Sequence, residues 1–371
     1  MLPLKDNLMV FESFPDLSDN SYALYDFLCH HGYQEKYKIY WYIRNKKNIT
    51  TDRLNAIHYI TDSNPFKKWF VLQHAKYIIY DHSNPVGGNN RSGQICLYLS
   101  HGAPLKGAKN DVKAGENNLP NYIVSTGELA CEWTCKFWSA PPSIGLPLGF
   151  PRNDYFFKMN TEVKEKIARY FHYDNFAKVI LWMPTFRKSW DGFLSEDYMN
   201  NETGLPIINT QDELNIFNDF LKENRLLVML KIHPLQANLS VYNNHYSNII
   251  IIKNSDLDAL GVQLYEFVAT SHVLITDYSS ISIDYLLLNN PIIFTLPDYE
   301  QYERSRGFIM DNVKDYLPGP HVNTINEFKT ALQEISKDVD HYDAERAKVA
   351  NVFHKHQDGN SAKRIADALG L

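Results

Sequence analysis

Four short polar segments of the chain contain the residue types that bind and transfer a phosphate group. They are Ser100–Lys106, Pro184–Lys188, Lys231–Pro234 and Thr276–Ser280. Each follows directly after a short apolar run that predicts a buried strand. Because ligands bind at the carboxyl ends of the strands in open parallel sheets, the four segments are expected to contribute to one functional site.

Two of these segments contain histidine. His101 precedes Gly102, which lets a ligand approach the backbone closely, and its imidazole could act as the base for an acceptor hydroxyl. The alternative is a loop histidine that merely follows a strand. Lys231 and His233 alternate at the end of another strand and therefore share one face. This pair could neutralise a phosphate group, although a solvated strand end would show the same residues.

The last segment gives the strongest single signal. A strand that ends at Thr276 and Asp277 continues into Ser279 and Ser280, and an apolar helix is predicted over 280–288. Backbone N–H groups at the start of that helix, together with the two hydroxyls, could bind an anion. Serine at a helix start is also an ordinary cap, which is the alternative. The carboxylate of Asp277 is expected to orient a neighbour rather than contact phosphate.

Cations and a hydroxyl complete the candidate set. Lys106 ends the first segment, and Thr185 and Arg187 lie in the second. Arginine can bind phosphate through two parallel hydrogen bonds, but an exposed pair with Lys188 is the default interpretation. The sequence contains no Walker A motif, no Gly-x-Gly-x-x-Gly and no His-Glu-x-x-His. P-loop and ordinary dinucleotide-binding sites are therefore poorly supported, and no tightly bound catalytic metal is predicted.

Strands and helices alternate along the chain around these segments. Strands are predicted at Leu8–Phe14, Tyr37–Ile43, Tyr77–Asp81, Ile95–Ser100, Tyr122–Ser125, Val179–Met183, Leu226–Ile232, Ile249–Ile252, Val273–Thr276 and Ile292–Thr295. Helices are predicted at Asp19–His31, Pro65–Ala75, Thr161–Phe171, Gln211–Asn224, Gly261–Thr270, Ser280–Leu288 and Glu327–Ser336, and three helices are expected to begin at the capping boxes Ser125…Glu128, Thr210…Glu213 and Thr324…Glu327. This alternation predicts an α/β protein with parallel, doubly wound, Rossmann-like sheets.

A segment rich in proline and glycine, Gly145–Asp154, is expected to interrupt regular structure and to join two domains. The predicted domains are residues 1–150 and 151–371, with their strand ends facing a common cleft. The last helix is expected to pack back on the N-terminal domain. A length of 371 residues suits two domains of ordinary size.

Charge and cysteine content narrow the functional classes. The net charge of −6 argues against a general nucleic-acid binder, which needs a basic face. The four cysteines do not form a pattern typical of a disulfide framework or a zinc site, and they suit a reducing compartment. The first residues lack a signal peptide pattern, and no apolar run reaches the roughly 20 residues that span a bilayer. A cytoplasmic protein is therefore expected.

Together these segments resemble the CDP-glycerol glycerophosphotransferase family, the teichoic acid primases and polymerases of bacteria. The motifs that carry the resemblance, in family order, are Phe11-Glu12-Ser13-Phe14 with Ser18-Asp19-Asn20, His101–Lys106, Gly149–Asp154, Pro184–Arg187, Lys231–Pro234, Thr276–Ser280, Asp284-Tyr285, Tyr302…Arg306-Gly307-Phe308 and Asp358-Gly359…Arg364. Each motif is weak alone, but so many in order are specific, and they extend over nearly the whole chain.

The resemblance implies a GT-B fold and the transfer of a polyol phosphate from a CDP-polyol, most simply CDP-glycerol, with release of CMP and no cofactor. His101 is then the general base. His233, Ser279 and Ser280 hold the pyrophosphate, with help from Arg187 and Lys231. The remaining residues that it implies for substrate binding are Gly102, Lys106, Thr185, Thr276, Asp277, Arg306, Gly307 and Asp358.

Departures from the family pattern concern the acceptor. Ala103, Ser100 and Lys109 stand where threonine, tryptophan and glycine are usual. Because the chain does not show the additional N-terminal region of the large polymerases, a primase or capsule-type transferase is expected. One alternative is a CDP-ribitol donor. A second is a UDP-sugar glycosyltransferase or epimerase of the same fold, for which Glu266 is a weak candidate for the sugar-nucleotide motif. A third is a non-catalytic nucleotide-binding subunit.

The family acts on lipid-linked acceptors, which implies a peripheral location on the inner face of the cell membrane. Trp133, Lys136, Phe137 and Trp138 form an aromatic and basic stretch that could contact the membrane. Burial in the core is the more frequent role for aromatic residues at this spacing.

Overall fold

The computed structural model describes residues 2–87, 90–107, 119–158, 161–173, 176–185, 201–232, 239–305 and 307–371. Contacts between residues divide the chain into two compact units. Unit 1 comprises Met1–Pro104, Asn110–Lys158 and Val352–Leu371, and unit 2 comprises Leu105–Lys109 and Met159–Asn351. The contacts thus group residues 151–158 and the end of the chain with unit 1, whereas the sequence placed the division between residues 150 and 151.

Unit 1 is built on a sheet of seven strands. They are β1 (Lys5–Glu12), β2 (Lys38–Tyr42), β3 (His58–Ile60), β4 (Ala75–Tyr80), β5 (Ile95–Tyr98), β6 (Tyr122–Val124) and β7 (Gly145–Leu146). All neighbours are parallel, in the order β3-β2-β1-β4-β5-β6-β7. Met9 and Phe11 lie in one hydrophobic cluster and Leu8 and Val10 in another, because alternate residues of β1 are buried on opposite faces.

Unit 2 is built on a second parallel sheet. Its strands are β8 (Lys178–Trp182), β9 (Leu226–Lys231), β10 (Ile249–Ile252), β11 (Val273–Thr276), β12 (Ile292–Thr295) and β13 (His321–Val322), in the order β10-β9-β8-β11-β12-β13. In both sheets the chain winds outward in one direction and then returns beside its first strand. The points where the strand order reverses lie between β1 and β4 and between β8 and β11, which is where doubly wound sheets bind ligands.

The α-helices connect these strands. They are α1 (Asp19–His30), α2 (Thr51–Asn55), α3 (Pro65–His74), α4 (Glu128–Phe137), α5 (Thr161–Phe171), α6 (Gln211–Glu223), α7 (Asn254–Leu260), α8 (Leu264–Val268), α9 (Ile281–Tyr285), α10 (Tyr299–Ser305), α11 (Ile325–Ser336), α12 (Asp343–Phe353) and α13 (Ser361–Leu369). The prediction of two doubly wound, Rossmann-like sheets is thereby confirmed.

Some local predictions were wrong. The helix predicted over 261–270 is shorter in the structure, where only α8 (Leu264–Val268) lies in that range. The preceding helix α7 was not predicted, and it ends at Gly261, which adopts a left-handed conformation (φ +63°). The predicted helix 280–288 is α9 followed by a single 3-10 turn. The capping boxes at Thr210 and Thr324 are present, but α4 begins at Gly127 without a side-chain cap.

The segment expected to interrupt regular structure does not do so throughout. Gly145–Leu146 forms the edge strand β7, and Pro151–Phe157 forms a 3-10 helix. Asp154 is buried there, and its two carboxylate oxygens accept the backbone N–H groups of Ser361 and Ala362 at 2.8 and 2.9 Å. This carboxylate therefore caps the N-terminus of α13, which anchors the last helix in unit 1.

Removing this cap should destabilise unit 1. We expect Asp154→Ala to lower the free energy of unfolding by about 2 kcal/mol, because two buried N–H groups lose a charged acceptor. Urea denaturation measures the change. Asp367→Ala is the matched control, since Asp367 forms only an exposed ion pair with Lys363 on the same helix; that variant should change stability by less than about 0.5 kcal/mol. Equal effects of the two substitutions would contradict the capping role.

The aromatic stretch at the end of α4 is partly used in packing. Trp133 is buried and packs against Phe353 with ring centroids 5.5 Å apart, and the half-buried Trp138 packs edge-on against Tyr98 at 5.5 Å. This packing favours the core role for the two indoles, whereas Lys136 is exposed and Phe137 half-buried, and membrane contact by this stretch stays a prediction. Within the described residues, no helix has both the length and the apolar character needed to cross a membrane.

Candidate functional site

His101 lies just after β5, in unit 1, with its side chain exposed to solvent. Its Nδ1 is 3.3 Å from the backbone carbonyl oxygen of Asp81 and 3.2 Å from the hydroxyl of Tyr98. A carbonyl can only accept a hydrogen bond, so this contact favours the tautomer with the proton on Nδ1. Nε2 is then unprotonated and can take a proton from a hydroxyl group.

The backbone around His101 is held by two side chains from distant parts of the chain. Asn20 Nδ2 donates to the carbonyl of Ser100 at 2.8 Å, and Arg152 Nη1 donates to the carbonyl of His101 at 3.1 Å. Arg152 is itself buried and bonded to the carboxylate of Asp19 at 2.6 Å. These bonds hold Ser100 at φ +58°, a conformation that non-glycine residues rarely adopt, and so fix the position of the imidazole.

A buried carboxylate at the end of β1 fixes the loop after β4. Glu12 is fully buried and pairs with Arg44, and its Oε2 accepts the backbone N–H groups of His82 and Ser83 at 3.3 and 3.2 Å. Burial raises the pKa of Glu12, although the guanidinium of Arg44 opposes that shift. The ring of His82 lies 6.2 Å from that of His101, so this loop places a second imidazole beside the first.

Asp81 is a second buried carboxylate at the same switch point. Its Oδ2 accepts the backbone N–H of Ser21, in the first turn of α1, at 3.0 Å, while Oδ1 has no hydrogen-bond partner among the described residues. Burial, and after it the negative charge of Asp19, raises the pKa of Asp81 well above its ordinary value of 3.8. A charged Asp81 is therefore costly to bury at neutral pH.

We expect Asp81→Asn to be more stable than the wild type at neutral pH, because the amide retains an acceptor for Ser21 without a buried charge. A carboxyl group whose pKa is raised on folding binds its proton more tightly in the folded state. The wild type therefore gains stability from Asp81 as the pH falls, and the gain is complete below the unfolded pKa of 3.8. Urea denaturation should show the advantage of the variant shrinking as the pH falls; an advantage that grows would contradict this assignment.

In unit 2, Asp277 binds the start of the segment that follows β8. The carboxylate is fully buried and accepts the Thr185 backbone N–H at 2.8 Å and the Thr185 hydroxyl at 2.6 Å. Lys106 Nζ donates to the same hydroxyl oxygen at 3.2 Å. Asp277, Thr185 and Lys106 thus form a hydrogen-bonded chain, hereafter the Asp277 group, at the switch point between β8 and β11.

The backbone holds Lys106 in this position. Lys106 and Phe308 form an antiparallel bridge, with bonds from the Gly107 N–H to the Gly307 carbonyl at 2.9 Å and from the Ile309 N–H to the Leu105 carbonyl at 3.1 Å. A Cβ at Gly107 would lie only 3.0 Å from the Phe308 carbonyl oxygen, so glycine permits this close approach. Main-chain pairing therefore fixes the backbone of Lys106, from which the side chain reaches the hydroxyl of Thr185.

Four aromatic rings of unit 2 join the motif Thr276–Ser280 to the motif Tyr302…Phe308. Tyr278 stacks on Tyr302 at 4.4 Å, and Phe308 lies 5.4 Å from Tyr278 and 5.5 Å from Tyr299. The Tyr278 hydroxyl donates to Asp298 at 3.2 Å. This aromatic cluster connects the loop after β11 with the segment at Gly307, a contact that was not predicted from the sequence.

The two serines after β11 lie beside this cluster and are half-buried. Ser280 precedes α9 in a helical conformation (φ −60°) and makes no side-chain capping bond, so ordinary capping does not account for it. The hydroxyl of Thr276 donates to the Met183 carbonyl at 2.8 Å, which ties β11 to the end of β8. Because α9 has only five residues, its dipole adds less to an anion site than the sequence suggested.

Other predicted residues lie elsewhere. Lys231 Nζ donates to Asn254 at 2.7 Å at the end of β9, and burial lowers its pKa. Asp358 accepts two bonds from Arg364 of α13 at 2.8 Å within unit 1, and its part in substrate binding stays a prediction. The predicted residues Arg187, His233 and Arg306 lie outside the described residues.

A cavity of about 710 Å³ also opens in unit 2, at the carboxyl ends of β12 and β13. Asp298, Arg304, Lys314 and Asn323 are among its polar lining residues, and Tyr299 links it to the aromatic cluster. Within the part of the chain that the structure describes, none of the sequence-predicted site residues lines this cavity.

Sequence reasoning missed the residues that hold the loops in place. Glu12, Asn20 and Arg152 lie in motifs that carry the family resemblance, but no individual role was predicted for them. In the sequence, each of these residues is only a charged or amide side chain next to a strand end or a turn. That position does not predict which distant backbone group the side chain binds. The structure gives each of them a specific bond near the His101 loop.

The described geometry can be compared with known proteins. A family model described as CDP-Glycerol:Poly(glycerophosphate) glycerophosphotransferase matches residues 1–370. The teichoic acid poly(glycerol phosphate) polymerase of Bacillus subtilis (strain 168) is 27% identical over 367 residues, which cover 90% of this chain and 45% of that protein. The teichoic acid poly(ribitol-phosphate) polymerase of Bacillus spizizenii (strain W23) is 26% identical over 386 residues, covering 100% and 57%. The chain thus spans about half the length of these relatives.

A solved structure shows the same fold. The wall teichoic acid polymerase TagF superposes with a TM-score of 0.76 at 22% sequence identity, covering 99% of this chain and 89% of that chain. The GT-B type of fold expected from the sequence is confirmed by this likeness.

Proposed function

Because the chain belongs to the CDP-Glycerol:Poly(glycerophosphate) glycerophosphotransferase family, we propose that it transfers a polyol phosphate from a CDP-polyol to an acceptor hydroxyl and releases CMP. Glycerol phosphate is the group that the family description favours. The observation that carries the proposal is the family match over residues 1–370, together with polar groups at both topological switch points.

The proposed reaction is a displacement at phosphorus. The acceptor oxygen attacks the phosphorus distal to cytidine as its proton passes to Nε2 of His101. The bond between that phosphorus and the bridging oxygen breaks, and CMP leaves with this oxygen. Charge gathers on the phosphoryl oxygens, where positioned donors and cations lower the barrier most. Lys106 and the hydroxyls of Ser279 and Ser280 supply them in unit 2, joined by Arg187 and His233.

The proposed acceptor is a glycan of the teichoic acid or capsule type, carried on a lipid. The names of the relatives support this choice, since each acts in teichoic acid synthesis. Such an acceptor would place the protein in the cytoplasm at the inner face of the cell membrane. The donor is CDP-glycerol, and no further cofactor takes part in the proposed step.

A ribitol phosphate donor is the second candidate. The relative from Bacillus spizizenii is a poly(ribitol-phosphate) polymerase, and its match covers 100% of this chain. Its sequence identity, 26%, is nearly the same as the 27% of the glycerol phosphate polymerase. Family membership therefore does not separate the two polyols. UDP-sugar transfer and a non-catalytic binding role stay as less favoured alternatives.

CMP release tests the proposal directly. Purified protein is incubated with CDP-glycerol, CDP-ribitol or a UDP-sugar, with and without a lipid-linked disaccharide acceptor. We expect CMP to appear only with acceptor present and with one CDP-polyol preferred. Turnover of a UDP-sugar with no release of CMP from any CDP-polyol would overturn the proposed reaction while leaving the fold assignment intact.

A further inference from the structure

Helix α3 exposes three aromatic side chains on one side of unit 1. Phe66, Trp69 and Phe70 are 73%, 50% and 42% exposed, and the ring of Phe66 lies 6.2 Å from Trp69 and 6.4 Å from Phe70. Their spacing of three and four residues makes them neighbours on the helix surface. We call these three residues the α3 patch. A contiguous exposed aromatic surface of this kind marks an interaction site.

The patch is not needed to hold α3 in place. Val71 and Leu72, which follow it on the helix, are buried in the hydrophobic cluster between α3 and the sheet. The side chain of Gln94 donates to the carbonyl of Leu72 at 2.7 Å and secures the end of the helix. The three aromatic residues can therefore leave water for another environment while α3 keeps its contacts with unit 1.

Three lysines gather beside the α3 patch. Lys67 Nζ lies 5.9 Å from the ring centre of Tyr40 and 5.8 Å from that of Tyr59. The Nζ of Lys38 lies 5.4 Å from the ring centre of Tyr40, and the Nζ of Lys46 lies 4.6 Å from that of Tyr59. The only acid in the adjoining turn, Asp62, is paired with Lys68. Among the described residues none of the three lysines forms an ion pair, so the surface around the patch is positive.

We propose that the α3 patch and the lysines Lys38, Lys46 and Lys67 form a binding surface for an anionic lipid bilayer. Tryptophan and phenylalanine enter the boundary between headgroups and acyl chains, and lysines beside them contact lipid phosphates. A second copy of the chain is a poorer occupant. A two-fold interface through the patch would bring the three ammonium groups of one copy towards those of the other, which is repulsive.

Sedimentation with vesicles tests this proposal without any donor or acceptor, so its outcome is independent of the proposed reaction. The protein is mixed with vesicles of phosphatidylcholine alone or with one third phosphatidylglycerol. We expect binding to the anionic vesicles. The double variant Phe66→Ser, Trp69→Ser should bind at least about tenfold more weakly. The triple variant Lys38→Gln, Lys46→Gln, Lys67→Gln should lose about a hundredfold and no longer distinguish the two vesicles.

Ile216→Ser is the matched control, because Ile216 is a 58% exposed apolar residue on α6 of unit 2. This variant should sediment with vesicles like the wild type, and thermal unfolding should show all variants folded. Unchanged vesicle binding by the aromatic double variant would overturn the proposal. Sedimentation velocity without lipid is the second arm; a wild-type dimer that the aromatic double variant converts to a monomer would assign the patch to a second copy instead.

Discussion

We expect replacement of His101 by glutamine to lower kcat/KM for the proposed acceptor-dependent CMP release by about a thousandfold, within the usual contribution of a positioned general base. Glutamine has a similar reach but cannot take a proton from a hydroxyl group. The KM for the CDP-polyol should change little, because the proposed donor contacts are made by Lys106, Ser279 and Ser280 in unit 2. The loss should therefore appear in kcat, measured from the initial rate of CMP release.

The control for this variant is His31→Gln. His31 is an exposed histidine of unit 1, stacked on Phe27 at the end of α1, and it has no place in the proposed site. That variant should release CMP at the wild-type rate. His82→Gln separates the two neighbouring imidazoles. If His82→Gln lost a thousandfold in kcat while His101→Gln kept most of its activity, the base would be His82 and the assignment of His101 would be wrong.

The central strands could be predicted from the sequence because they are buried on both faces. The run Leu8–Phe14 overlaps β1 (Lys5–Glu12) at residues 8–12, the buried part of the strand, and Val273–Thr276 is β11 residue for residue. One edge strand, β10, is likewise the predicted run Ile249–Ile252. The edge strands β3, β7 and β13 have two or three residues each and carry no such run. Their formation depends on the neighbouring strand, which supplies the hydrogen bonds that their own sequence does not predict.

The locations of the candidate site residues follow from strand ends, but their partners do not. His101 and Arg152 are 51 residues apart, and the bond between them joins a guanidinium to a backbone carbonyl. Because any residue at position 101 would offer the same backbone carbonyl, no pattern of residue types predicts this contact. Glu12 is similar, since it binds backbone N–H groups 70 and 71 residues away. The roles of these residues in substrate binding stay predictions.

The two aromatic helices of unit 1 show why the exposure of a helix could not be predicted from its sequence alone. Both α3 and α4 combine tryptophan, phenylalanine and lysine, so composition predicts a surface role for either. Trp133 is covered by Phe353, more than 200 residues further along the chain, whereas no such segment covers Phe66 among the residues that the structure describes. The end of the chain returns to unit 1 and covers α4 but not α3. This is a tertiary contact, and the local sequence pattern of the two helices does not predict it.

The second large effect is expected in unit 2. Lys106→Met should lower kcat/KM by about a hundredfold or more, because a cation beside the phosphoryl oxygens stabilises the charge of the transition state. Methionine keeps most of the side-chain length. The antiparallel pairing of residues 105–107 with 307–309 uses only main-chain atoms, so the variant should keep its fold. Initial rates at varied CDP-polyol concentration separate the loss into kcat and KM.

Lys329→Met is the matched control for this prediction. Lys329 also belongs to unit 2 and lies over the ring of Phe220 at 5.4 Å, on α11. The Lys329→Met variant should release CMP at the wild-type rate, which would show that the loss of activity depends on Lys106 and not on the removal of any lysine from unit 2. Thermal unfolding of both variants should match the wild type within a few degrees. Activity of Lys106→Met within threefold of wild type would mean that its ammonium group only supports Thr185, and that the phosphate cations must be sought among the other predicted residues.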